Sequence, residues 1–320
     1  MRITSEVLVT RTLDRLQSRL QAYERSQSQL ATGRKILAPS DDPGGARRAM
    51  SLRAAMQSRH QELRNIDDAM GWLNNADTQL QAVYERTRRA RDLTVDGATL
   101  KDPGAQHALA TELRAIADEL VGIANTQHNG RPLFGGYSAG PAVTEVDGEL
   151  VFDPPPGQED RVLRRVSDTE QVRVNVTAAE WMGALTLPAV DPADPVDPAD
   201  PVDPDAPVVD ANLVALLRRM ADAIEGGDQA AASTGLAAID KATDRLGASL
   251  AEIGSAANRV GSARERAETA SLTLRTELSN VQDIDVAQGV MEMQIQEVGY
   301  QATLQALSRA LPPSLASFLG

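Results

Sequence analysis

The sequence predicts a mainly α protein with a small β insert. Its N- and C-terminal arms are expected to form a long antiparallel helical rod, with the terminal helices paired as a coiled coil. Three observations predict this: matching apolar spacings at the two ends, helix-breaking residues at matching distances inside each end, and short alternating runs in the middle of the 320-residue chain.

The N-terminal spacing runs Val9, Leu13, Leu16, Leu20, Tyr23 and Leu30, with Gln27 filling one gap. Steps of four and three residues mark a coiled-coil seam. The C-terminal spacing repeats it through Val286, Val290, Met293, Tyr300, Leu304, Leu307 and Leu311, with Glu297 as the polar interruption. Residues 1–33 hold five Arg against three acids, and residues 278–320 hold four acids against Arg309. Opposite net signs favour pairing of the two ends by a modest amount.

Each terminal helix is expected to stop at a joint. In the N-terminal arm, Pro39 disfavours helical geometry at Ala38. Asp42 before Pro43 then has the form of an N-cap followed by a first-turn proline, and Gly44 and Gly45 permit a sharp start. In the C-terminal arm, Asp283 and Asp285 interrupt the register, and Asp285 with Gln288 has the form of a new helix cap. The expected hinge is therefore Pro39, Asp41, Asp42, Pro43 and Gly44 against Asp283 and Asp285.

Inside the joints lies a second helical layer. Leu63, Ile66, Met70, Leu73, Leu80 and Tyr84 mark a helix reaching about Thr99, where Asp102-Pro103-Gly104 starts the next. Leu109, Leu113, Ile116, Leu120 and Ile123 mark that next helix, expected to end near Asn129-Gly130. A late helix runs from about Leu236 to about residue 280. Trp72 and Tyr84 fall at core spacing. The expected division is a terminal domain at 1–38 and 283–320, a helical rod at 39–130 and 210–282, and a β-rich outer domain at 131–187.

The middle differs in kind. "VTEVDGELVF" (143–152) places Asp147-Gly148 between two short runs, a hairpin signal. "RVLRRV" (161–166) and "QVRVNVT" (171–177) read as further strands. At 188–209 a linker carries proline at every third position from Pro192 to Pro207. Polyproline II has three residues per turn, so the prolines share one face, and at ~3.1 Å per residue the repeat would span roughly 50 Å. Calcium ligation needs a convergent turn that this proline spacing prevents.

Composition narrows the function. Net charge is −13, which argues against a nucleic-acid partner. There is no Cys, and hence no thiolate metal site or Cys nucleophile. His60, His107 and His128 lack a partner at metal-ligand or triad spacing, so neither a metal, a cofactor nor an enzyme activity is expected. Arg2, Glu6, Arg11, Asp14 and Arg15 leave no apolar core for a cleavable signal peptide, and no run is long enough to insert in a membrane. Segment 33–35 lacks the second glycine of a phosphate loop, and Asp41-Asp42 lacks the spacing of an EF-hand.

"QLATGRKILAPSDDPGGARRAMSLR" (29–53) closely resembles the N-terminal signature of flagellins and their hook-associated relatives. "DIDVAQGVMEMQIQEVGYQATLQALSRALPPSLASFL" (283–319) is similar to the tail they share. Trp72-Leu73 and "RPLFGGYSAGPAV" (131–143) look more like the members at the hook–filament junction than like filament flagellin. The resemblance implies a structural subunit of the bacterial flagellum that self-associates in a tubular ring, beside other hook-associated and flagellin subunits. It also implies export by the flagellar type III apparatus to an extracellular position, with a chaperone on the C-terminal helix. Filament flagellin and a cytoplasmic coiled-coil scaffold are the alternatives. The scaffold explains the heptads but neither the paired breaks nor the β insert.

Overall fold

The structure, a computed structural model, describes residues 2–146, 149–155, 160–183, 185–188 and 208–310. Side chains are described for the same residues except 2–9, 12, 185–188, 208–211 and 307–310. Among the described residues the helices are α1 (Arg2–Thr32), α2 (Pro43–Thr99), α3 (Pro103–Ala124), α4 (Ala178–Met182), α5 (Leu213–Glu225), α6 (Gln229–Gln282) and α7 (Val286–Ala310). Four two-stranded antiparallel ladders lie between α3 and α5: β1 (Gln127–His128) with β2 (Arg131–Pro132), β3 (Val143–Val146) with β4 (Glu149–Phe152), β5 (Leu163–Arg165) with β6 (Gln171–Arg173), and β7 (Leu185–Pro188) with β8 (Val208–Ala211). The chain divides into two compact units, one of Met1–His60 with Thr269–Gly320, the other of Gln61–Glu268.

In the larger unit, α2, α3, α5 and α6 surround one core. Leu73, Leu80, Leu93, Leu113, Leu120, Leu216, Leu217 and Leu246 are buried in it, along with Val260. Caps start the helices where the backbone needs them. Asp102 accepts the Ala105 N–H at 2.9 Å with Pro103 at the first helical position, and Asn212 accepts the Ala215 N–H at 2.8 Å. Half-exposed ion pairs rim the core: Arg86–Glu119 and Arg89–Glu112 join α2 to α3, Arg91–Asp240 joins α2 to α6, and Arg114 joins α3 to Asp222 and Glu225 of α5. Solvent-exposed pairs of this kind add little net stability, so they orient the helices more than they hold them.

The β insert shares that core. Phe134 and Trp181 are fully buried and meet edge to face at 5.6 Å. Two asparagines substitute for a neighbouring strand. The Asn125 amide bonds both the N–H and the C=O of Val143 at 2.9 and 2.8 Å. Asn175 accepts from the Val162 N–H and donates to the Asp160 C=O, both at 2.8 Å. Short ladders leave backbone groups unpaired at their ends, and these side chains satisfy them. Thr177 and Glu180 form a reciprocal capping box on α4, and Arg173 bonds both Glu180 oxygens at 2.7 Å.

Several expectations are corrected. Helix α1 stops at Thr32, well before residue 38, because Gly33 adopts φ +69° and ends it. The helix expected to reach Asn129-Gly130 ends at Ala124; both residues have positive φ and form the turn between β1 and β2. Helix α5 and the one-turn α4 were not anticipated as separate elements. The expected hairpin at 143–152 pairs Val143 with Phe152 and Val146 with Glu149, its turn residues lying outside the described set. The Asp/Pro repeat also lies outside the described residues from 189 to 207. The strands flanking it are cross-strand neighbours, Pro188 opposite Val208.

Candidate assembly surface

The smaller unit carries the expected seam and hinge. Helices α1 and α7 pack against each other. The Arg19 guanidinium donates to Gln296 Oε1 at 3.2 Å, and a Cβ added at Gly289 would sit 2.9 Å from Leu30 Cδ2. Residue 19 therefore lies beside 296 and residue 30 beside 289, which fixes an antiparallel pair. A cleft of about 530 Å³ opens at the hinge end of the pair, lined by Arg25, Ser26, Lys35, Asp283, Asp285 and Glu292 among others.

The two chain breaks meet. The Lys35 N–H donates to the Gln282 C=O at 2.8 Å, and the Ile284 N–H donates to the Gly33 C=O at 3.0 Å, so Arg34 and Asp283 form an antiparallel bridge. The Lys35 ammonium reaches the Asn280 C=O at 3.0 Å, and Arg53 bonds the Gln282 side chain, which is buried. Asp42 Oδ1 accepts from the Gly44 and Gly45 N–H groups at 3.0 and 2.9 Å, starting α2 at Pro43. Asp285 Oδ1 accepts from Ala287 and Gln288 at the start of α7. Asp41 Oδ2 accepts from Ala38 and Leu37, and the Ala38 hydrogen bond, helped by Leu37 and by the charge of Arg25, holds its carboxyl below the usual range. Pro39 is exposed in this turn and ends no helix. Gly33 does that work. Its place directly before the basic pair Arg34-Lys35 hid it, although glycine after a periodic run is itself a stop signal.

The seam face differs from the heptad expectation. The less exposed side of α7 carries Gly289, Met293, Gln296, Gly299, Tyr300 and Thr303. The matching side of α1 carries Leu16, Ala22, Tyr23, Ser26, Gln29 and Leu30. Leu13, Leu20, Val290 and Leu304, expected within the closed seam, remain exposed, as does Val286. Val9 and Leu307 lie outside the described side chains. Five expected seam residues, Leu16, Tyr23, Leu30, Met293 and Tyr300, do lie on this face, but small and polar residues share it, and Gly289 leaves room for the Leu30 side chain. The heptad count weighed only apolar size and could not detect a small-residue contact.

Small residues remove little apolar surface from water, at about 25 cal/mol per Å². Meanwhile Leu13, Leu20, Val290 and Leu304 stay exposed on the same pair. Helices in proteins gain most of their stability from a packed face.

Comparison with known proteins places this arrangement. The bacterial flagellin N-terminal helical region matches residues 3–139, and the bacterial flagellin C-terminal helical region matches residues 236–319. The chain is 24% identical over 315 residues to a flagellin of Bacillus subtilis, covering 97% of this chain and 96% of that protein. It is 24% identical over 319 residues to flagellar hook-associated protein 3 of Escherichia coli, covering 96% of each. The solved structure of flagellar hook-associated protein 3 from Legionella pneumophila has the same fold, with a TM-score of 0.60 at 15% identity, over 72% of this chain and 98% of that one. With both helical regions matched, and with the terminal helices they describe paired through α1 and α7, the chain belongs to the bacterial flagellin family.

Proposed function

We propose that this chain is a structural subunit of the bacterial flagellum and that it forms the junction between hook and filament. The observation that carries the reading is the terminal pair, which leaves large apolar side chains such as Leu13, Leu20, Val290 and Leu304 exposed. Likeness to hook-associated protein 3 along nearly the whole of both chains favours the junction position. The terminal helices fold fully only when neighbouring subunits cover those side chains, so polymerisation and folding are coupled. In this reading, segments 1–38 and 283–320 make the inner tube. Segments 39–130 and 210–282 make the helical layer around it, and 131–187 faces outward. The subunit leaves the cell through the flagellar export apparatus with a chaperone on its C-terminal helix, and it performs no catalysis.

Filament flagellin is a second reading, favoured by equal identity to the Bacillus flagellin over 97% of the chain. Labelling the protein on intact cells separates the two. The junction reading expects one band at the base of each filament, and staining along the whole filament would overturn it.

A further inference from the structure

A groove of about 740 Å³ opens along α6 where the turn between β5 and β6 meets it. Its floor is small and polar, with Gly254, Ser255, Asn258 and Ser262. Its basic wall is held in place. Glu170 accepts from Arg259 at 3.2 Å through one carboxylate oxygen and from Arg266 at 3.0 Å through the other. Arg259 also reaches the Gln171 C=O at 3.4 Å. One carboxylate thus orients two guanidinium groups and leaves the wall with one positive charge in excess. Among the described residues Arg266 donates through Nη2 alone, so most of its N–H groups remain open to a second acceptor. Glu252, at the end of the groove, is committed to Arg173 at 3.0 Å.

The sequence holds a segment of matching chemistry. Residues 189–207, outside the described set, carry six Asp and no Lys or Arg. Polyproline II has three residues per turn at ~3.1 Å each, which sets successive aspartates of the repeat ~9 Å apart on one face. Arg259 and Arg266 are one heptad apart, about 10.5 Å along α6. Guanidinium groups at that spacing suit carboxylates at the same spacing. Ala193, Val196, Ala199 and Val202 make the third face of the repeat, and a floor of glycine and serine admits such short side chains closely.

The chain tethers this segment within reach. The Arg173 guanidinium bonds Glu180 of α4 and Glu252 of α6, so the chain passes α6 five residues before β7 starts. Strands β7 and β8 then bring the two ends of 189–207 together, Pro188 opposite Val208. From that base nine residues reach roughly 28 Å at ~3.1 Å each, whereas Glu252 to Arg259 is about 10.5 Å along α6. A tether this short gives a high effective concentration, so exposed ion pairs suffice.

We infer that the Asp/Pro repeat docks in this groove of its own subunit, with Asp194 and Asp197 on Arg259 and Arg266 and Val196 over Ser262. The contact lies within one subunit, so it stands or falls separately from the junction reading.

The chain has no Cys, so two introduced thiols report on one contact. In dilute full-length protein oxidised with glutathione disulfide, Val196→Cys with Ser262→Cys is expected to close an intramolecular disulfide. It should do so about tenfold faster than Val196→Cys with Glu268→Cys, the effect of two exposed ion pairs acting together. Residue 268 is exposed on the same helix, ~120° around from residue 262. Adding Arg259→Gln with Arg266→Gln, the fold checked by circular dichroism, should remove the advantage. Asp194→Asn with Asp197→Asn should remove it as well, and these substitutions touch none of the folded contacts above. Equal closure at residues 262 and 268, or an advantage that survives the Asp194→Asn and Asp197→Asn changes, would overturn the docking. A disulfide formed only between copies would overturn its assignment to the same subunit.

Discussion

Replacing Gly33 by valine perturbs the joint through backbone conformation alone. Gly33 holds φ +69°, and a Cβ added there meets nothing within 4 Å. No clash is created, so the whole effect comes from forcing an L-residue with a branched Cβ into left-handed geometry. Such strain costs about 1–3 kcal/mol, or roughly a 5- to 150-fold shift between closed and open states. The closed state here is the bridge between the two breaks, with Ile284 N–H on the Gly33 C=O and Lys35 N–H on the Gln282 C=O. Hydrogen exchange on the assembled protein reads it directly. The amides of Lys35 and Ile284 should exchange roughly 5- to 150-fold faster in Gly33→Val, while amides around Leu73 and Leu113 keep their protection. Gly33→Asn should stay close to the native rates, because asparagine tolerates this region. Native protection in the valine variant would refute the assignment of Gly33 as the stop that lets the two arms bridge.

Other expectations follow from the same contacts. Asn125→Ala leaves the Val143 N–H and C=O without their partner and should lower stability by about 2–4 kcal/mol, read by denaturant unfolding. Leu16→Asp or Leu304→Asp should block assembly while the larger unit still folds; polymer formed by both variants would count against the terminal pair. The Asp41 carboxyl is held below its usual range first by the Ala38 N–H. A depressed folded pKa means its contribution is present above the unfolded value and disappears as pH falls through the folded one. The turn at 37–42 should therefore loosen only in acid, and Asp41→Asn should remove that acid transition; an unchanged pH profile would exclude Asp41 as its source.

Much of this was legible in the sequence where one signal dominated locally. The apolar periodicity around Leu73 and Leu113 gave helices because burial of those residues fixes the face. Asp102-Pro103 and Asp42-Pro43 marked helix starts because a cap and a first-turn proline act within one turn. The hairpin at 143–152 was readable from its turn dipeptide. Less legible were features set by contacts distant in sequence. The bridge between Arg34 and Asp283 joins the two ends of the chain, and nothing local at Gly33 announces a partner near residue 284. The seam was legible in part: Leu16, Tyr23, Leu30, Met293 and Tyr300 lie on the contact face, whereas Ala22, Ser26, Gly289 and Gly299, which share it, carry no apolar-periodicity signal. Asn125 and Asn175 look like ordinary loop asparagines until the strand ends they bond are placed beside them.

The central claim is that the terminal helices become stable only when other copies cover them. Hydrogen exchange on residues 10–30 and 288–304, compared between dilute monomer and assembled protein, tests it most directly. The account predicts near-unprotected amides in the monomer and strong protection after assembly, with the larger unit protected in both. Equal protection of those helices in the monomer and in the polymer would contradict it.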